Sequence, residues 1–187
     1  MEAKDAVMRL GLCLLLLVCS ACFATPPNPS TLQPVAFRVG PLRFDRPESW
    51  QWVKPSGAFR TAQLEKKAPD GTPLVITFSR FPAGEGGSVQ ANIDRWISQF
   101  TQTTGTPEVI SHAGPGCPFT LVRILGTIKG GVPGGPPKDL PQAMLRGAVL
   151  EAEGELVMVK LAGPASAVRY GEKDFEALIA AASGRNP

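Results

Sequence analysis

At 187 residues with a formal net charge of +3, the chain has room for one domain of ordinary size and not for two comfortable ones. Its 43% apolar content excludes a disordered chain and a multi-span membrane protein. The basic residues are scattered, with no run longer than Lys66-Lys67. That argues against nucleic acid as a partner, because phosphate binding needs clustered Lys and Arg.

Residues 10–18 (LGLCLLLLV) form a short apolar run preceded by Arg9. A permanent membrane span needs about 20 apolar residues, so the run reads as the core of an export signal. Glu2 and Asp5 offset Lys4 at the extreme N-terminus, and a start at Met8 would give a tidier bacterial signal. The run ends in Cys19-Ser20-Ala21-Cys22. Small residues directly before a cysteine resemble a lipobox, with Cys22 as the acylated first residue of the mature protein. Cys19 departs from that pattern, which usually has an aliphatic residue there. Residues 1–21 are therefore expected to be a signal peptide, with Cys22 lipid-anchored in the cell membrane or outer membrane and facing the periplasm. Two or more acyl chains give stable anchoring. The other reading is ordinary cleavage after Ala21 or Ala24, leaving a soluble periplasmic protein. In that case Cys22 and Cys117 could form a disulfide in an oxidising compartment; otherwise Cys117 is a buried small hydrophobe.

Residues 22–35 are proline-rich and polar, as an extended tether is. A single domain is expected over 36–184. Phe37-Arg38-Val39 and Leu42-Arg43-Phe44 alternate as edge strands do. A strand is expected over 59–65, then a turn at Ala68-Pro69-Asp70-Gly71 and a second strand over 74–81, rich in β-branched and aromatic residues. After the loop PAGEGGS, Ser88 is placed to cap a helix. Val89, Ile93, Trp96, Ile97 and Phe100 make its apolar stripe, and the helix is expected to run until near Gly105-Thr106-Pro107. Strands follow over 108–113, 119–129 and 144–151, with a Gly/Pro-rich loop over 130–141. Glu153-Gly154 turns into a strand over 156–162. Phe175, Leu178, Ile179 and Ala182 give a C-terminal helix an apolar face, and Gly184 stops it. The expected class is α+β: a central antiparallel sheet, a long helix after the second hairpin and a C-terminal helix packed on the sheet.

The stretch GEGGSVQANIDRWISQF resembles a signature of uncharacterised bacterial envelope proteins that look like members of the PsbP/Mog1-like fold group. GTIKGGVPGGPP, MLRGAVLEAEGELVMVKLAGPASAV and DFEALI continue the resemblance, which covers most of residues 44–179. Its Gly/Pro loop is curtailed. The resemblance implies a central antiparallel sheet with helices against its faces. It implies little about function, because the group includes a photosystem accessory protein and a GTPase-binding protein with no shared chemistry.

The sequence carries several candidate sites, each with a bland alternative. The loop of Gly84, Glu85, Gly86, Gly87 and Ser88 opens a helix, where free N–H groups could take an anion. It lacks the P-loop Gly-Lys-Ser/Thr, and Glu85 would repel phosphate. Asn92, Arg95 and Trp96 form, with Asp94, the densest polar-aromatic group. Arg95 could reach a ligand or a partner carboxylate, while Trp96 could equally be core. Trp50 and Trp52, two apart in an extended segment, could make an aromatic shelf or pack inside. The Gly/Pro loop could act as a partner-binding lid. His112 is the only histidine, with Cys117 nearby but no GxSxG, so neither a triad nor a metal site is indicated. Glu151, Glu153 and Glu155 surround a turn, as solvated hairpin tips do. No enzyme, metal or cofactor is expected. The first reading is a non-catalytic interaction or assembly module of the bacterial envelope, with an envelope protein as partner. The alternative is a periplasmic small-ligand binder with a pocket between sheet and helix near Trp96.

Overall fold

The computed structural model describes residues 35–184 apart from 56, 58, 114, 115, 133 and 134. The expected signal sequence, Cys22 and the tether as far as residue 34 lie outside these residues. The chain forms β1 (Ala36–Val39), β2 (Leu42–Asp45), β3 (Gln51–Trp52), β4 (Ala62–Lys67), β5 (Pro73–Phe81), α1 (Val89–Ile97), β6 (Phe100–Thr103), β7 (Glu108–His112), β8 (Phe119–Ile128), β9 (Leu140–Ala152), β10 (Glu155–Pro164) and α2 (Ala165–Ala182). β1 and β2 pair as a separate hairpin. The others form one antiparallel sheet in the order β3-β4-β5-β10-β9-β8-β6, with β7 also on β8. The class is α+β, with a large antiparallel sheet and two helices.

Strict alternation along the long central strands builds two cores. Ala148 and Leu150 of β9 and Val157, Val159 and Leu161 of β10 face α2 and the β1–β2 hairpin. Leu145, Val149, Val122, Ile124 and Met158 face α1. The tight hairpin between β9 and β10 follows from Glu153 and Gly154, which both have positive φ, as a two-residue type I′ turn requires. On the α2 side, Phe37, Phe44 and Phe78 have ring centroids 5.0–5.6 Å apart. They seat the hairpin on β5.

The first helix is shorter than its apolar stripe suggests. Ser88 caps it through a 3.0 Å bond from the Ala91 N–H, and it ends at Ile97. Phe100 opens β6 and pairs with Ile128. Its side chain still enters the α1-side core, so helical spacing is preserved after the helix has stopped. The longer helix is α2, with 18 residues against nine. Strand β4 starts at Ala62, not at Phe59, because a turn closes between Gly57 and Arg60 and Phe59 is exposed. Strand β9 starts earlier than Met144, at Leu140. Among the described residues, no helix is long and apolar enough to cross a membrane.

Candidate interaction site

Three strands, β7, β8 and β9, and α2 bring five charges together on the face of the sheet that α2 covers. Arg123 of β8 stands directly opposite Arg146 of β9, and opposite Glu108 of β7 on its other side. Facing like charges repel across a ladder, so the Arg pair needs compensation. Glu108 bonds the Arg123 guanidinium from the strand side. From above, Glu172 and Glu176 of α2, four apart and so on one helix face, reach down. Arg146 Nη2 is 2.5 Å from Glu176 Oε1, and Nε is 3.1 Å from Glu172 Oε1. The second contact has ion-pair distance but not hydrogen-bond alignment, so the buried Nε–H has no hydrogen-bond acceptor among the described residues.

Only 8% of the Arg146 side chain is exposed, so removing its compensation by α2 leaves a buried charge unpaired at a cost of a few kcal/mol. The hydrogen bond from Arg123 holds the Glu108 carboxyl below its ordinary value, and Glu108 in turn pushes Arg123 up. With Ile110 and Leu121, these five side chains line a cleft of about 150 Å³. The cleft is small, amphipathic and closed on one side by α2.

Beside it runs β7. Val109 is 46% exposed and Ile110 52%, and among the described residues nothing pairs with the strand's outer edge. The strand holds no lysine, proline or bulge, the usual means of blunting an edge. His112 stacks on Phe119, its cross-strand partner, with centroids 4.5 Å apart. Cys117, free among the described residues, places its Sγ 3.2 Å from the Glu151 carbonyl. Burial pushes its thiol above the ordinary value, against the lowering effect of the Glu151 backbone hydrogen bond, which is opposite to what a nucleophile needs.

The residues singled out from sequence are divided between the two faces: Asn92, Arg95 and Trp96 share α1, with Asn92 and Arg95 hydrogen-bonded, while Trp50 and Trp52 lie on the α2 side. Trp50 is fully buried. Its indole N–H donates to Asp174 Oδ2 at 2.8 Å. The same oxygen accepts from Lys66 Nζ at 2.6 Å, and that ammonium lies 4.4 Å from the centre of the Tyr170 ring. Trp50 is thus part of a latch between the sheet and α2, not a shelf. Trp52 packs edge-on against Phe37 at 4.9 Å. Trp96 is buried on the opposite face. Asn92, also buried, donates to the Gly86 and Ser88 carbonyls at 2.9 Å and accepts from Arg95 Nη1 at 2.6 Å. It ties the glycine loop to α1. Arg95 is exposed but engaged. Cys22 lies outside the described residues.

The cleft went unread in the sequence. Its signal was an arginine inside the apolar run AMLRGAVL, together with Glu172 and Glu176 one turn apart on α2. An inward arginine demands acids across the layer.

No family model and no curated protein matches the chain. Among solved structures, it is similar to the cyanobacterial PsbP protein of Synechocystis. That match has 14% identity and a TM-score of 0.47, and it covers 74% of this chain and 84% of that one. It is also similar to a Pseudomonas aeruginosa protein of unknown function, with 12% identity and a TM-score of 0.42, covering 77% and 92%. Neither likeness carries an argument about what this chain does.

Proposed function

We propose that this chain is an exported, lipid-anchored, non-catalytic interaction module of the bacterial cell envelope that docks a partner protein along β7. The export and anchoring parts of this reading rest on residues 10–22 and the lipobox-like Cys19-Ser20-Ala21-Cys22. The docking part is carried by one observation: β7 is an open edge strand that exposes Val109 and Ile110 to solvent. An extended segment of a partner can add to such an edge through main-chain hydrogen bonds, with side chains in neighbouring pockets supplying specificity. The cleft at Glu108, Ile110 and Leu121 adjoins that edge. It bears three carboxylates against two guanidinium groups, which suits a basic side chain from the partner.

The test is photo-crosslinking in the bacterial host from a reactive residue placed at 109, compared with one at Tyr170. A discrete crosslinked envelope protein from 109 and not from 170 supports the reading. The absence of any product from 109, or identical products from both positions, overturns it.

A further inference from the structure

Among the described residues, Lys66 and Lys160 point inward on opposite faces of the sheet and are treated differently. Lys66 on the α2 side has the Asp174 carboxylate at 2.6 Å and aromatic rings on two sides. Lys160 lies in the apolar run VMVKLA of β10 on the α1 side. Its Nζ donates to Gln99 Oε1 at 3.3 Å, a long bond to a neutral acceptor. Burial first, and then the positive charge of Arg60, hold its ammonium below the ordinary lysine value, and no carboxylate pushes it back.

The surroundings of Lys160 follow from register. Gln63 of β4 stands opposite Thr77 of β5, Thr77 opposite Lys160, and Lys160 opposite Gly147 of β9. One polar row therefore crosses the sheet and ends at the glycine over which Trp96 packs. Gln99 overhangs the row from the turn after α1. Arg60 Nη1 donates to Gln63 Oε1 at 3.0 Å, and Gln63 Nε2 donates to Glu65 at 2.8 Å. Glu65 is thereby drawn to the far end of the row. At the Lys160 end the ammonium meets the Gln99 amide, whose Nε2 donates to the Arg95 carbonyl at 3.4 Å, while the Thr77 hydroxyl donates to the Lys160 carbonyl at 3.4 Å; among the described residues no carboxylate is hydrogen-bonded to the ammonium.

Lys160 is half-buried, and a charge held partly out of water is stabilised by a partner of opposite sign. We propose that Lys160 and Gln99, with Gln63 and Thr77 beside them and Trp96 at the border, form a site for a small carboxylate ligand whose negative charge supplies the missing partner of the ammonium. A single ammonium suits a monoanion, and the amides of Gln99 and Gln63 can donate to its second oxygen once their side chains turn. This site is on the opposite face of the sheet from the β7 cleft and stands or falls independently of the docking role.

The experiment is a titration of the full chain with acetate, against chloride at matched ionic strength. The Lys160 side-chain signals are followed by NMR, and melting is measured in parallel for wild type and Lys160→Met. The expected result is a saturable shift of the Lys160 signals with acetate, a rise in its pKa, and a rise in melting temperature that Lys160→Met loses. A Lys160 that responds equally to acetate and chloride overturns the proposal, as does an equal thermal shift in the variant. Saturable binding of inorganic phosphate without acetate binding overturns the carboxylate assignment. If Lys160→Met fails to fold, the wild-type NMR titration decides alone.

Discussion

The six-membered ring of Trp96 occupies the place where a side chain at Gly147 would begin. An ideal Cβ there falls 2.4 Å from Cζ3 and 2.7 Å from Cε3. The glycine in the middle of β9 is therefore what lets α1 seat its indole on the sheet. Gly147→Ala is expected to destabilise the domain by about 2 kcal/mol through overpacking. Denaturant unfolding measures this. A smaller cost for Gly147→Ala in a Trp96→Phe background than in wild type would show that the clash is with this ring.

Asp174 Oδ2 collects donors from Lys66, Trp50 and, at 3.4 Å, Ser49. Burial raises its carboxyl, but the hydrogen bonds from Lys66 and Trp50 outweigh that and leave it below the ordinary value. Asp174→Asn is expected to cost roughly 1.5–3 kcal/mol at neutral pH, the range for a hydrogen bond to a charged group. A carboxyl lowered in the folded state contributes stability that is present above its unfolded pKa and is lost as pH falls through the folded one. Wild type and Asp174→Asn should therefore converge in melting temperature as the pH drops below the ordinary carboxylate range. A gap that is constant with pH would reject the charged role.

Arg146 and Glu172 lie on different layers and meet only in the folded chain. Replacing Glu172 by Gln leaves the buried guanidinium with less compensation and is expected to cost about 2 kcal/mol. In Arg146→Met the demand for an acid disappears. A double-mutant cycle should show coupling of about 2 kcal/mol, with Glu172→Gln nearly neutral in the Arg146→Met background.

Ile110→Asp changes an exposed side chain, so it should leave stability within about 0.5 kcal/mol of wild type. It should at the same time remove the crosslink formed from residue 109. Loss of both fold and crosslink, seen as a lowered melting temperature, would assign Ile110 to the core instead.

Intact mass of the processed chain, beside Cys22→Ser, checks the anchor. Added acyl mass and membrane partition in wild type, both lost in the variant, are expected. An unmodified chain in the soluble fraction would reject lipidation, and a mass two hydrogens lighter than the reduced form would instead indicate a disulfide between Cys22 and Cys117.

Much of the architecture was legible because it is local. Alternation in LVITFSRF, the Pro-Asp-Gly turn, Ser88 before an apolar stripe and the Glu153-Gly154 hairpin each act over a few residues. Phe100 misled for a related reason: residues after a helix can keep facing the same core while the backbone has become strand. The candidate sites were less legible. Trp50, Trp96 and Asn92 are the kinds of residue that serve either a core or a ligand, and nothing within their own segments chooses between the two.

The sequence by itself determined the α+β class, most strand positions and the caps, since propensity, turn chemistry and hydrophobic period are properties of short segments. Only the tertiary structure decided which charges meet. Arg146 finds Glu172 and Glu176 from a helix packed across the sheet, Lys66 finds Asp174 108 residues away, and Lys160 finds the neutral amide of Gln99. The physical reason is that strand register and layer packing are set by burial of the whole apolar surface at once, and the polar groups are carried to wherever that burial places them.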